Sequence, residues 1–407
     1  MNQKPIGILT LLNQLNYGGV LQAFALQKVL RDRGYPAEVI DYWLSPRNSL
    51  LAGHFFDETR SPLSRACHLL GFIFRRGPLY ALRDYRRRKR TLRFIQTRIM
   101  RSAKTYRHAD ELRGLGGYAC LIAGSDQVWN YQWHGRPNPF LLGAVPDTVR
   151  KVSYAASFGF KQLPDDRLAE YRDALLAFHA LSVREQEGAE MVRQWTGREA
   201  QWVLDPTLLL PENEWRAQLG PAPDAGRPFI FCYWLGDLTA CMELLKTLRQ
   251  GGRPRVVLFL SLQQLYGKRT FSDLLRRWRL FALPNVTVRC DAGPEEYLAD
   301  LAGASAVVSD SFHALMFSCI FRKPVKIVTR SSAERARMSA RMRDFAERYG
   351  LADVIESEVP TQAFAFARPD YAAVWREIEK DRVRSLAFID RALQDAAIAP
   401  VVATTPH

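Results

Sequence analysis

Short runs rich in Val, Ile and Leu recur along the chain, bounded by Gly, Pro, Asn and Asp. Most are followed by stretches whose apolar residues return every three or four positions. The first pattern is that of buried strands and the second that of amphipathic helices. Residues 6–12 predict a buried strand, 16–19 a turn, and the residues after it an amphipathic helix ending near Arg33-Gly34. Residues 37–42 supply the next strand and complete a βαβ unit of about forty residues. Residues 44–110 break the pattern with a polar loop and one or more basic helices. It resumes with strands at 118–123 and 151–156, a helix at 165–178, a strand at 180–183 and a helix at 186–195.

The run Pro221-Ala222-Pro223-Asp224-Ala225-Gly226-Arg227-Pro228 has the composition of a linker. A second α/β series follows, with strands at 228–234, 255–260, 285–289, 305–309 and 324–329 and helices between them. Helical spacing over 370–395 predicts closing helices, and 398–407 a frayed tail. The expected organisation is an N-terminal α/β domain over 1–215, carrying the basic helical insertion at about 44–110. A C-terminal α/β domain over 228–369 and closing helices over 370–397 complete it. The class is α/β: two Rossmann-like doubly wound domains facing a central cleft, where a site would draw residues from both halves. At 407 residues the chain is long enough for each domain to have its own core.

Candidate chemistry is densest over 293–325. A helical pattern leads into the strand at 305–309, and Asp310-Ser311-Phe312-His313 opens a second helix that ends in Arg322-Lys323-Pro324. A strand running straight into a helix N-terminus leaves a crevice at the carboxyl edge of a parallel sheet. Backbone N–H groups and the positive end of the helix dipole point into it. An imidazole placed there, with an ordinary pKa near 6.5, can give or take a proton beside a bound anion. His313 is therefore the catalytic candidate. The competing reading is a core histidine of an apolar helix; Asp310 and Ser311, standing just ahead as capping residues, count against it.

Other segments offer partners. Asn16-Tyr17-Gly18-Gly19 sets two glycines at the mouth of the first helix, where backbone amides can closely approach a phosphate or sugar. It lacks GxGxxG spacing, so no dinucleotide is implied. In Gly124-Ser125-Asp126-Gln127, Asp126 is either a group that orients or deprotonates a hydroxyl or an N-cap, and Gln127 can bond that hydroxyl. Arg184 presents a planar fork for a carboxylate or phosphate; the alternative is an ion pair with Glu185 or Glu187. Arg322 and Lys323, one helix after His313, either add charge at an anion pocket or complement the helix dipole. Asp205-Pro206-Thr207 reads as a structural turn.

Six segments occur in a recognisable order over some 300 residues. They are Asn16-Tyr17-Gly18-Gly19-Val20-Leu21-Gln22-Ala23-Phe24-Ala25-Leu26-Gln27, Gly124-Ser125-Asp126-Gln127-Val128-Trp129-Asn130, Ser153-Tyr154-Ala155-Ala156-Ser157-Phe158-Gly159, Leu181-Ser182-Val183-Arg184-Glu185, Leu204-Asp205-Pro206-Thr207-Leu208-Leu209-Leu210, and the block 309–324. Together they resemble the polysaccharide pyruvyl transferase family.

The resemblance implies a glycosyltransferase-B-like fold. It implies transfer of pyruvate, as a ketal, from phosphoenolpyruvate to a sugar of a cell-surface polysaccharide or its lipid-linked precursor. Phosphoenolpyruvate is then a co-substrate, and no other cofactor is expected. His313 and Asp126 take the catalytic roles; Arg184, Ser311, Arg322 and Lys323 bind the donor; Asn16, Tyr17, Gly18, Gly19 and Gln127 bind the acceptor. One branch of the family carries Arg-Leu-His where this chain has Ser311-Phe312-His313, and that Arg is taken to hold the donor. Here either Arg184 with another cation does this, or the donor is a different one. Ala314 also stands where Gly is common. The alternative function is a sugar-nucleotide-dependent glycosyltransferase, with Glu295 or Glu296 as a ribose-binding acid.

Charge adds one further expectation. The chain carries +15 net, and thirteen Lys or Arg face the single acid Asp84 between positions 75 and 107. Three readings remain: a solvated helix face, a basic amphipathic element resting on anionic lipid, or a nucleic-acid contact, for which no recognisable module is present. No signal peptide and no apolar run of about 20 residues is evident, so a cytoplasmic chain, peripheral at the inner leaflet, is expected. The six cysteines lack CxxC spacing and read as buried free thiols, and no histidine pattern suggests a metal.

Overall fold

The computed structural model describes residues 4–12, 16–43, 61, 78–220, 227–266, 271–329, 333–366 and 368–394, with the side chains of 271–273 and 333–340 left aside. Most of the linker at 221–228, the tail at 398–407 and Cys67 lie outside these residues. The chain runs β1 (Ile6–Leu9), α1 (Tyr17–Asp32), β2 (Ala37–Tyr42), α2 (Pro78–Arg98), β3 (Arg101–Tyr106), β4 (Cys120–Ala123), β5 (Arg150–Ser153), α3 (Asp165–Leu176), β6 (Ser182–Val183), α4 (Gln186–Thr196) and β7 (Gln201–Trp202). There follow α5 (Glu212–Arg216), β8 (Ile230–Tyr233), α6 (Leu238–Gln250), β9 (Val256–Phe259), α7 (Leu262–Tyr266), α8 (Phe271–Phe281) and β10 (Val286–Arg289). The last elements are α9 (Pro294–Gly303), β11 (Ala306–Ser309), α10 (Phe312–Ile320), β12 (Val325–Val328), α11 (Ala333–Arg348), β13 (Ile355–Glu356) and α12 (Tyr371–Leu393).

Two compact units result. Met1–Ser45, Ile95–Pro211 and Trp375–His407 form one; Pro46–Phe94 and Glu212–Val374 form the other. These boundaries differ from the sequence reading at two places. The basic insertion is divided, most of α2 going with the second unit and β3 with the first. Side-chain contacts explain the assignment of α2: Arg90 pairs with Glu296 at 3.1 Å, and Arg83 donates to the Tyr266 hydroxyl at 3.0 Å. The closing segment is one 23-residue helix, α12, and nearly all of it belongs to the first unit. Ser385 Oγ accepts from the Leu204 amide, Asp390 pairs with Arg33, and the Ala392 carbonyl accepts from Arg150.

The first unit's main sheet has the order β3-β2-β1-β4-β5, all pairs parallel. β1 and β4 are buried throughout, as strands covered on both faces must be. β3, which the apolar pattern does not reveal, is an edge strand. It pairs only on one side, so Arg-Ser-Ala-Lys-Thr-Tyr suffices, and its cations blunt the open edge. Asp41 on β2 ties it down, accepting from Thr105 Oγ1 at 2.9 Å and pairing with Arg101 at 3.3 Å. An aromatic group around Trp129, Phe158, Tyr171 and Phe178 fills the core beside the loop after β4.

The second unit's sheet has the order β10-β9-β8-β11-β12-β13, again parallel. Tyr297 packs edge-on against Phe231, Tyr233 and Phe259 in its core. In both sheets the chain steps outward from one central strand and returns to its other side. This places a topological switch point between β1 and β4, and another between β8 and β11. The five described cysteines are buried and form no disulfide with one another. Among the described residues no helix is long and apolar enough to cross a membrane, and no cluster suited to a metal ion is found.

Candidate functional site

In the first unit, the loops after β1 and β4 line the switch point. Asn16 caps α1, its Oδ1 accepting the Gly18 amide at 3.1 Å, and Tyr17 is buried. Gly19 has a packing reason to be glycine: a Cβ there would stand 2.8 Å from the Leu11 carbonyl oxygen and 3.7 Å from Asp126 Oδ2. Asp126 is held at φ 73°, a left-handed conformation that costs about 1–3 kcal/mol for a non-glycine residue and persists only where surroundings enforce it. Here the Val128 and Ser157 amides both donate to its carbonyl, and its own Oδ1 accepts the Gln127 amide at 2.9 Å. Asp126 thus caps no helix; its carboxylate is aimed by a strained backbone. Gln127 Oε1 accepts from Asn130 at 2.9 Å and the Gln127 carbonyl meets His134 Nε2 at 3.0 Å, so the side chain braces the loop.

Arg184 has a different environment from the one an open donor site would require. Its side chain is 3% exposed, with Nη1 3.1 Å from Asp205, Nε 3.1 Å from Glu185 and Nη2 3.6 Å from Asp126. Burial by itself would favour the neutral form, but the three carboxylates more than offset it and hold the guanidinium charged. Three carboxylates around one guanidinium leave an excess of negative charge, which repels a further anion. The ion-pair reading of Arg184 is the one this geometry favours. Asp205 joins the network twice: Oδ1 accepts from Thr207, as a turn requires, and Oδ2 takes Ser125 Oγ at 2.9 Å. Ser157 Oγ donates to Glu185. The pairing with Glu185 is one the sequence reading offered; the approach of Asp205 and Asp126 is visible only in the fold.

His134 supplies a pH test of this loop. Burial is the main cause of its pKa falling to about 4, against the opposing influence of Gln127 and Asp126. The folded state keeps it neutral while the unfolded chain takes up a proton near 6.5, so the stability it contributes is present above 6.5. That stability is lost as pH falls from there through about 4. The slope approaches about 1.4 kcal/mol per pH unit inside that window. Denaturant titrations at pH 7 and pH 4.5 should show a larger loss for the wild-type chain than for His134→Gln; equal losses would exclude His134 as a source.

In the second unit, β8 and β11 run side by side with Tyr233 opposite Ser309. Ser309 Oγ donates to the Tyr233 carbonyl and accepts the Ser311 amide at 3.1 Å, which fixes the exit from β11. Asp310 fixes the facing loop, its two oxygens accepting the Leu235 and Gly236 amides at 2.7 and 2.8 Å. Ser311 is the N-cap of α10, but its hydroxyl makes no capping bond. His313 sits in the first turn of α10, 7% exposed, at the positive end of the helix dipole. The expected position at a strand-to-helix edge holds. The residue is buried rather than lining open solvent.

Arg322 and Lys323 are not beside it. They follow the far end of α10, a nine-residue helix about 13 Å long. Arg322 pairs with Glu212, and Lys323 Nζ donates to the Ala304 carbonyl at 2.9 Å. Their placement as donor ligands with His313 does not fit this geometry. Glu296 accepts the Gly293 amide at 2.9 Å and pairs with Arg90, and the Glu295 carbonyl accepts the Gly220 amide.

A model of the family described as polysaccharide pyruvyl transferase matches residues 16–332. The chain belongs to that family. Membership makes it a transferase of polysaccharide biosynthesis. No curated protein matches the chain. Among solved structures, Anabaena HepE, determined with UDP and glucose, has a TM-score of 0.50 at 12% identity, covering 97% of this chain and 100% of that one. MnaA of S. aureus with UDP has a TM-score of 0.49 at 9% identity, covering 95% and 91%. UDP-GlcNAc 2-epimerase of Methanocaldococcus jannaschii has 0.47 at 8%, covering 92% and 91%. At these identities the HepE likeness concerns the fold: this member of the pyruvyl transferase family is built of two Rossmann-like α/β units of the glycosyltransferase-B-like class.

Proposed function

We propose that the chain transfers pyruvate from phosphoenolpyruvate to two hydroxyls of one sugar in a polysaccharide or its lipid-linked precursor, forming a cyclic ketal. The observation that carries this reading is His313, buried in the first turn of α10 at the β8/β11 switch point of a family member. The donor's phosphate or carboxylate takes the N-terminus of α10, where the dipole is positive and the Ser311 hydroxyl is not engaged in capping.

The reaction sets out what the residues must do. Protonation of the donor's methylene carbon by His313 develops cationic character at the carbon bearing phosphate. A sugar hydroxyl adds there and its proton returns to the base, restoring His313. Phosphate then leaves, and the second hydroxyl closes the ketal, its proton departing with phosphate. Asp126, aimed by its positive φ, is our candidate for orienting an acceptor hydroxyl, with Asn16 to Gly19 beside it. The branch arginine replaced here by Ser311 is not supplied by Arg184, so dipole and amide contacts bear more of the donor's charge.

A sugar-nucleotide-dependent glycosyltransferase is the second reading, and the fold it shares with HepE is what favours it. One assay separates the two. Phosphate release from phosphoenolpyruvate that requires a saccharide acceptor, with a gain of pyruvate mass on the product, is the expected result. Nucleoside diphosphate release from sugar nucleotides, with no phosphate from phosphoenolpyruvate, would overturn the proposal.

A further inference from the structure

We propose that α2 and α8 of the second unit form a docking surface for an anionic membrane. On α8, Leu274, Trp278 and Phe281 fall at i, i+4 and i+7, one helical stripe, and they point outward: Trp278 is 67% exposed and Leu274 52%. Leu280, on another face, is fully buried and anchors the helix. A tryptophan exposed to this degree inside an apolar stripe is unusual for a surface that faces only water. The neighbouring helix continues the feature. On α2 the exposed face carries Leu79 and Leu82, then Arg86, Lys89 and Arg93 at helical spacing. The two helices touch: the Arg83 guanidinium lies 5.0 Å over the Phe281 ring, and Tyr80 meets Tyr266, at the end of α7, edge-on at 5.5 Å.

Charge identifies the occupant. The apolar stripe is flanked by Arg277 and Arg279 on its own helix and meets Arg83 of α2, whose exposed face also carries Arg86 and Lys89. Aromatic and aliphatic side chains at the centre with cations at the rim match a bilayer interface. The rings and aliphatic chains enter the headgroup boundary while lysine and arginine meet lipid phosphates. A second copy of the same basic surface would set like charges against each other. A nucleic acid offers phosphates but no apolar phase for Leu274, Leu79 and Leu82.

The test uses the full chain without donor or acceptor, so its outcome is independent of the reaction proposed above. Co-sedimentation is measured with vesicles of phosphatidylcholine alone and of phosphatidylcholine mixed with phosphatidylglycerol. Binding should require the anionic lipid and weaken as salt rises. Trp278→Ala should reduce partitioning about tenfold, and Trp278→Phe should retain most of it. Lys89→Ala and Arg279→Ala should each reduce it about fivefold. These exposed side chains can be replaced with little effect on the thermal melt. The proposal is overturned by no binding to anionic vesicles, by equal binding to neutral ones, by a Trp278→Ala chain that partitions like wild type, or by tighter binding to duplex nucleic acid.

Discussion

Replacing His313 by Gln lowers turnover by about 10²- to 10⁴-fold, the range a positioned general acid–base contributes. Glutamine keeps much of the side-chain volume and can hydrogen-bond, but it cannot exchange a proton near neutral pH. That choice matters because His313 is 7% exposed, so truncation to Ala would add a packing defect to the chemical one. The backbone of the first turn is fixed independently, by Ser309 holding the Ser311 amide and by Asp310 holding the opposite loop. A Gln variant should therefore melt close to wild type. Donor KM should change much less than kcat, since the helix dipole and Ser311 remain. Ser311→Ala should show the reverse, raising donor KM with a smaller effect on kcat. A His313→Gln enzyme that keeps more than about a tenth of wild-type turnover would remove His313 from the acid–base role.

Much of the fold was legible because parallel strands covered on both faces must be apolar runs, and the helices between them must be amphipathic. Residues 37–42 are strand β2 with the expected bounds, and His313 lies in the first turn after a buried strand as expected. Elements free of that constraint were not visible. β3 pairs on one side only, so its sequence carries charge; β13 has two residues and no periodicity to read. The division of the basic insertion was hidden for another reason: it depends on where Arg83 and Arg90 find partners, Tyr266 and Glu296, far away in sequence. The candidate site divides in the same way. A side chain placed by local geometry, such as Asn16 at a helix mouth, can be inferred from its neighbours in sequence. Whether a cation is open to a ligand depends on what the fold brings to it: three carboxylates for Arg184, Glu212 for Arg322 and the Ala304 carbonyl for Lys323.

Arg184→Met destabilises the first unit by about 3–5 kcal/mol, the range for removing one partner from a buried ionic cluster. Methionine fills a similar volume, so little of the loss comes from packing. What remains is Asp126, Glu185 and Asp205 without their shared counter-charge; Asp205 and Asp126 are themselves buried. Arg184→Lys should fall between, since an ammonium restores one charge but cannot reach three carboxylates at the angles of a planar fork. The pH dependence distinguishes this cause from a cavity. Protonating the carboxylates removes the unpaired charge, so the gap between wild type and Arg184→Met should narrow on acidification. A packing defect would leave the gap constant. Urea titrations of both chains at pH 7 and pH 4 supply the comparison. If Arg184→Met instead keeps wild-type stability and loses donor affinity by calorimetry, the guanidinium belongs to the donor site and the cluster opens when the donor binds.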